Sequence, residues 1–329
     1  MRVVQLARGP ERRVALVEEP RLRWIEAESV YDLAWRAACE EIPLQDLVLA
    51  RATDETADYD AIDLGESEWS RLPCAGHPAE PARCLVSGTG LTHASSARNR
   101  QAMHTAAADL TDSMRMYLWG VEQGRVKDGA PGIAPEWFYK GPGTILRAHL
   151  QPLAVPPHAE DGGEEAEIAG VYLIGPGGRP RRIGMAQGNE FSDHVHERRN
   201  YLYLAESKLR QCAIGPELCL DPDFSDVPGE ARIDRGGSVL WRREIRSGQA
   251  AMSHELANLE HHHFKHAQHL RPGDLHVHFY GADAFSFGEG LRLEDGDVMQ
   301  VSFRGFGRPL RNPLRVEPCP ARLIRVEAL

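Results

Sequence analysis

Glu165 and Glu167 are separated by one residue, Ala166, and lead directly into the apolar run IAGVYLIG. In an extended strand, residues i and i+2 point to the same face, so this spacing predicts two carboxylates side by side. Such a pair repels unless a proton or a cation sits between its members, and its hard oxygen donors suit Mg²⁺, Mn²⁺ or Ca²⁺. A third carboxylate, Glu190, follows the short apolar run Ile183, Met185, Ala186, and Lys208 lies further along the same stretch, GNEFSDHVHERRNYLYLAESKLR. Three carboxylates would hold one side of a divalent ion and leave its other positions to water and substrate. Lys208 would bring a cation to an anionic substrate, or a proton if desolvation lowered its pKa. Each feature alone reads more readily as an ordinary solvated charge, the Glu165–Glu167 pair as a solvent-facing strand end after an acidic loop. Only the combination points to chemistry.

Histidine is the other candidate donor. Eight of the 15 histidines fall between His254 and His278. If SHELANLEHHHFKHAQHL is helical, His262 and His266 share a face, but zinc would need one or two further ligands, and such histidines are commonly solvated. In the following segment, Leu275, Val277 and Phe279 alternate with His276, His278 and Tyr280, which predicts one packed face and one that meets substrate hydroxyls or solvent.

These residues need a scaffold of short strands. Apolar runs bounded by Gly, Pro and Asp predict strands over 84–87, 143–151, 165–174, 180–187, 237–245, 273–280 and 296–303. Helices are expected over 108–123 and 250–269. Another follows Ser29, which with Asp32 forms a capping pair ahead of Val30, Leu33, Ala34, Ala37 and Ala38. Alternation at Val3–Leu6, Val14–Val17 and Leu22–Trp24 predicts strands near the start. The polar, proline-bearing stretch 51–82 reads as a linker, dividing a small N-terminal α/β domain (1–80) from a catalytic domain (81–329). The expected class is α+β and β-rich.

The chain has 329 residues, 42% hydrophobic and 26% charged, which excludes wholesale disorder. Its formal net charge of -10 argues against a nucleic-acid partner. No apolar run approaches the roughly 18 residues that span a bilayer, and the start lacks the apolar core of a secretory signal. Six cysteines without a CxxC pair read as reduced thiols, and a cytoplasmic location is expected.

The order VSGTGLTH, PEWFYKGPGT, EEAEIAGVYLIG, GNEFSD, SKLRQCAIGP, LRPGDLHVHFYG, LEDGDVMQVSFRGFG resembles the fumarylacetoacetate hydrolase superfamily over roughly residues 84–313. Within it, SGTGLTH, GNEFSD, NYLYLAESKL and CAIGPEL are similar to the bacterial sugar-acid branch, the 2-keto-3-deoxy-pentonate (arabinonate or xylonate) dehydratases. The resemblance implies a mixed β-roll core, a homodimer, and a divalent metal, usually Mg²⁺, on Glu165, Glu167 and Glu190. Three departures stand out. Glu190 replaces the usual Asp, His194 stands where Arg is frequent, and Tyr280-Gly281-Ala282 replaces Thr-Gly-Thr.

The implied reaction is dehydration of a 2-keto-3-deoxy-pentonate to 2,5-dioxopentanoate through a metal-stabilised enolate. Lys208 would be the catalytic cation, and His93 the base unless it merely caps a helix at Ser95. Lys140 (in the Phe-x-Lys position), Ser192 and Tyr280 would contact substrate. The alternatives are a hydrolase splitting a C–C bond of a 2,4-diketo acid, and a catalytically silent sugar-acid-binding protein of the same fold.

Overall fold

The computed structural model describes residues 1–104 and 110–329. It holds more strand than helix, in one 13-stranded and one 5-stranded sheet. The centre of the large sheet is the strand Ala166–Ile174, buried along its whole length, as its near-continuous apolar sequence requires. It pairs antiparallel with Pro180–Asn189 on one side and with Leu275–Phe279 on the other. Leu275–Phe279 pairs in parallel with Cys84–Gly90, and Glu136–Pro142 closes that edge. On the opposite flank the strands Arg2–Arg8, Glu11–Glu18, Arg21–Ile25 and Ala52–Asp58 continue the same sheet. The second sheet runs in the order Ser238–Ser247, Val227–Arg235, Val298–Phe303, Leu310–Val316, Leu153–Val155.

The main core lies between the large sheet and the helix Val30–Glu40, with Val30, Leu33, Ala34 and Ala37 facing Ala169, Val171 and Leu173. Ser29 caps this helix as expected, its Oγ accepting the Asp32 N–H at 3.0 Å. A second core packs the small sheet against Ala166, Ile168 and Tyr280.

Three expectations are corrected. The stretch 51–82 is not a bare linker, because Ala52–Asp58 is an edge strand and Tyr59–Leu64 a helix capped by Asp58. Its polarity belongs to an edge strand with one side in water. Residues 143–151 are not one strand but a 3₁₀ turn followed by the two-residue strand Leu146–Arg147. The expected helix over 250–269 shrinks to Leu256–Phe264 and a 3₁₀ turn, Ala267–His269. Ahead of it, the Ser253 N–H bonds the Thr92 carbonyl and the Glu255 N–H that of Gly124, so tertiary contacts outbid local helix propensity. The helix expected over 108–123 is present at Asp112–Gln123, with residues 108 and 109 outside the described residues.

Candidate metal centre and active site

Strand pleating puts Glu165 and Glu167 on one face, and pairing with the next strand brings Glu190 beside them: the Glu190 N–H bonds the Glu165 carbonyl at 2.9 Å. Asn189 fixes the corner, its Oδ1 accepting the N–H groups of Glu165 (3.3 Å) and Phe191 (3.2 Å). The three carboxylates are buried, with one oxygen from each lying within 4.8 Å of the others.

Two buried lysines reach into this cluster. Lys208 Nζ bridges Glu165 Oε1 and Glu190 Oε2, the latter at 2.6 Å, and lies over the Phe138 ring. Lys140 Nζ pairs with Glu190 Oε1 and donates to the carbonyls of Phe191 (3.1 Å) and Lys208 (3.0 Å). Ser192 Oγ donates to Glu190 Oε2 at 2.8 Å. Lys140, Lys208 and Ser192 therefore meet the carboxylates directly, with Lys140 and Ser192 orienting Glu190.

His194, singled out in the sequence only as a departure, completes the cluster. Its Nε2 lies 3.1 Å from Glu165 Oε1, and its ring stacks on Phe285 (4.8 Å between centroids) and Phe287 (5.2 Å). The loop carrying these phenylalanines is anchored by Glu164, whose carboxylate accepts the Ser286 N–H (2.6 Å) and Oγ–H (2.8 Å). A narrow cleft opens here between Gly90, Leu91, Glu165, His194 and Ala282. The signal for His194 and Glu164 was adjacency to the motifs, which carries no direction without the fold.

His93 and Tyr280 are not brought to the carboxylates by direct contact. The Tyr280 hydroxyl bonds that of Tyr172 in the second core. The next residue takes part instead, as the Gly281 N–H donates to Glu167 Oε2 at 2.7 Å. Gly281 has φ +97°, and a Cβ there would fall 1.9 Å from Thr92 Oγ1, so glycine is required. Thr92 gives its only hydroxyl proton to the Tyr280 carbonyl (2.7 Å), so the 2.8 Å contact with His93 Nδ1 makes that nitrogen the donor. The proton-free Nε2 of His93 is then buried with no hydrogen-bond partner among the described residues.

Electrostatics divide the carboxylates. Burial opposes ionisation of Glu165, but Lys208 and His194 outweigh it and hold its pKa well below the usual carboxylate value. Burial pushes Glu167 well up, and the charges of Glu190 and Glu165 push the same way. Leaving His194 aside, three carboxylates and two lysines leave a formal charge of −1, which a proton on Glu167 cancels. A divalent cation displacing that proton turns the cluster to +1. The residues thus fit a hard divalent ion in charge, burial and donor type.

Metal-free, Glu167 keeps a proton that the unfolded chain releases near pH ~4.3. The stability of the metal-free protein therefore falls as pH rises from there towards the raised value. A divalent ion bound by these carboxylates would have to expel the same proton, so its affinity would rise about tenfold per pH unit across that window. Thermal melts over a pH series, with and without Mg²⁺, should show a stabilising shift that grows with pH; a shift independent of pH would assign the proton elsewhere.

No family model matches the chain, and no curated protein matches it in sequence. Solved structures do. A 2-keto-3-deoxyarabinonate dehydratase superposes with a TM-score of 0.74 at 17% identity, over 97% of this chain and 100% of that one. The chain has the fold of that enzyme. A 2-keto-3-deoxy-D-arabinonate dehydratase complexed with magnesium and 2,5-dioxopentanoate gives 0.72 at 16% identity, over 96% and 99% of the two chains. A 5-carboxymethyl-2-hydroxymuconate delta-isomerase from Mycobacterium smegmatis gives 0.58 at 18% identity, over 96% and 100%. The resemblance expected from the motifs is thereby shown as a shared fold. Among the described residues, no helix is long and apolar enough to cross a membrane.

Proposed function

We propose that this protein is a Mg²⁺-dependent hydro-lyase converting a 2-keto-3-deoxy-pentonate into 2,5-dioxopentanoate. The observation that carries the reading is the charge balance of the buried cluster, in which a divalent ion replacing the Glu167 proton turns a neutral pocket into one of +1, matched to a monoanionic keto acid. Fold likeness to a dehydratase bound to magnesium and 2,5-dioxopentanoate supports the same choice.

Glu165, Glu167 and Glu190 would hold the ion, which when bound supplies a Lewis acid for the 2-keto oxygen and the neighbouring carboxylate. Lys208 lies against two of these carboxylates and provides a fixed positive charge where negative charge develops as the C3 proton leaves. His93 is assigned the C3 proton. Its Nδ1–H is held by Thr92, and burial lowers its pKa to about 4, so at neutral pH Nε2 presents a lone pair. His194, held flat between two phenylalanines, steadies Glu165. The C4 hydroxyl then leaves as water with the proton that His93 took from C3, restoring neutral His93, and tautomerisation completes the reaction in the narrow cleft.

The test is incubation with 2-keto-3-deoxy-pentonate and Mg²⁺, following 2,5-dioxopentanoate by mass spectrometry. Its appearance, abolished by chelator, is expected. Tight metal-dependent binding without product would indicate a binding protein. Pyruvate released from a 2,4-diketo acid, with no dehydration, would indicate the C–C hydrolase instead. Cytoplasmic location and a homodimer belong to the same reading, and light scattering of the purified protein tests the dimer.

A further inference from the structure

On the opposite face of the strand Leu275–Phe279 lies a second donor cluster, in which ring nitrogens of His263, His269 and His276 lie within 4.8 Å of one another. All three histidines are buried, at 1%, 6% and 1% exposure. The expectation that the histidines of 254–269 are largely solvated is corrected here. His266 is exposed, but His263 and His269 turn inward onto His276. The polar face of 275–280 likewise looks onto the helix Leu256–Phe264 rather than into the carboxylate cleft, with His276 bonded to His263 and the Tyr280 hydroxyl to Tyr172 beside Glu260.

The proton positions can be assigned. A carbonyl only accepts, so the 2.6 Å contact of His269 Nδ1 with the His263 carbonyl places the His269 proton on Nδ1 and leaves a lone pair on Nε2. An indole N–H only donates, so Trp137 Nε1, 3.1 Å away, makes His263 Nδ1 an acceptor. His263 therefore carries its proton on Nε2 and gives it to His276 Nδ1 at 2.9 Å. The His276 proton is left on Nε2, buried and near the His269 backbone without a well-formed hydrogen bond. Burial also keeps His276 uncharged, with a pKa lowered to about 3.

We infer that His263, His269 and His276 form a second metal site, for a borderline divalent transition ion such as Zn²⁺, separate from the carboxylate centre. Three imidazoles and a water make the tetrahedral donor set that Zn²⁺ takes, and His269 already has the backbone-carbonyl partner that orients a ligating ring. Loading needs one internal change. The His263 proton moves from Nε2 to Nδ1, and the Trp137 N–H, now facing another donor, turns away. Trp137 lies on an edge strand and is 41% exposed, so it has room to do so. No proton leaves the protein, since the other two histidines already present lone pairs.

This gives an unusual signature: the Trp137 indole competes with the ion. In full-length protein stripped of metal and carrying Glu167→Gln to disable the carboxylate centre, calorimetric titration with Zn²⁺ should find one equivalent. Adding His269→Gln should weaken it at least about tenfold, whereas Trp137→Phe should tighten it about three- to tenfold, the worth of one competing hydrogen bond. Co²⁺ in place of Zn²⁺ should give the intense visible bands of tetrahedral nitrogen ligation, lost with His269→Gln. Circular dichroism checks that each variant folds; if His269→Gln does not, the Trp137→Phe titration and the Co²⁺ spectrum decide. No Zn²⁺ bound in the Glu167→Gln protein, only weak octahedral Co²⁺ bands, or an affinity unmoved by Trp137→Phe would overturn the site.

Discussion

Glu167→Gln should lower Mg²⁺-dependent turnover by at least about a thousandfold while leaving the metal-free fold intact. Glutamine has the shape of a protonated glutamic acid, and burial beside Glu190 and Glu165 makes protonated the form this side chain holds without metal. Its oxygen still accepts the Gly281 N–H, so the turn after the strand Leu275–Phe279 keeps its anchor. The amide cannot give up a proton to become an anionic ligand, and the cluster stays one negative charge short. Melting with and without Mg²⁺ reads this directly. The metal-free transition should match or exceed that of the parent protein, and the upward shift on adding Mg²⁺ should vanish. A variant that still gains stability from Mg²⁺ would remove Glu167 from the ligand set.

Lys208→Met should give the opposite pattern. Its ammonium lies between Glu165 and Glu190, 1% exposed, so its removal leaves Glu190 with Lys140 as its remaining cation and Glu165 with His194 alone. Losing one partner of a buried pair costs up to about 3–5 kcal/mol, less here because Lys140 and His194 remain and a carboxylate can take up a proton. The metal-free protein should therefore melt lower. With a cation gone from the pocket, Mg²⁺ binds at least as tightly and restores much of the loss. Turnover should still fall about 10²–10⁴-fold, because the charge that met the developing enolate is missing. Metal retained with chemistry lost separates a catalytic cation from a ligand-positioning one. Near-normal turnover in Mg²⁺ would reassign Lys208 to structure.

What the sequence made legible follows from how local the signal was. Glu165 and Glu167 could be placed side by side because strand periodicity alone brings i and i+2 together, and the apolar run behind them suits a buried strand, but their role needed the other motifs. Glu190 and Lys208 needed the order of motifs. Lys140 was visible as a motif position, but its ion pair with Glu190 depends on the edge strand Glu136–Pro142 folding back alongside Cys84–Gly90, which no spacing encodes. The strands Val227–Arg235 and Leu310–Val316 were missed because proline, glycine and charge break their alternation. His194 and the buried histidines were misjudged for a shared reason. A polar residue's burial is set by the partner element packed against it, here the Phe285–Phe287 loop and the strand Leu275–Phe279.

The most direct test of the central claim is keto-acid binding measured with and without the metal. Calorimetric titration with 2-oxobutyrate, a 2-keto acid with no C4 hydroxyl to lose, should show binding in Mg²⁺ and none in chelator. By linkage, 2-oxobutyrate should tighten Mg²⁺ by the same factor. Equal affinity in Mg²⁺ and in chelator would contradict the account, because the carboxylate cluster would then not need the ion to accept an anion.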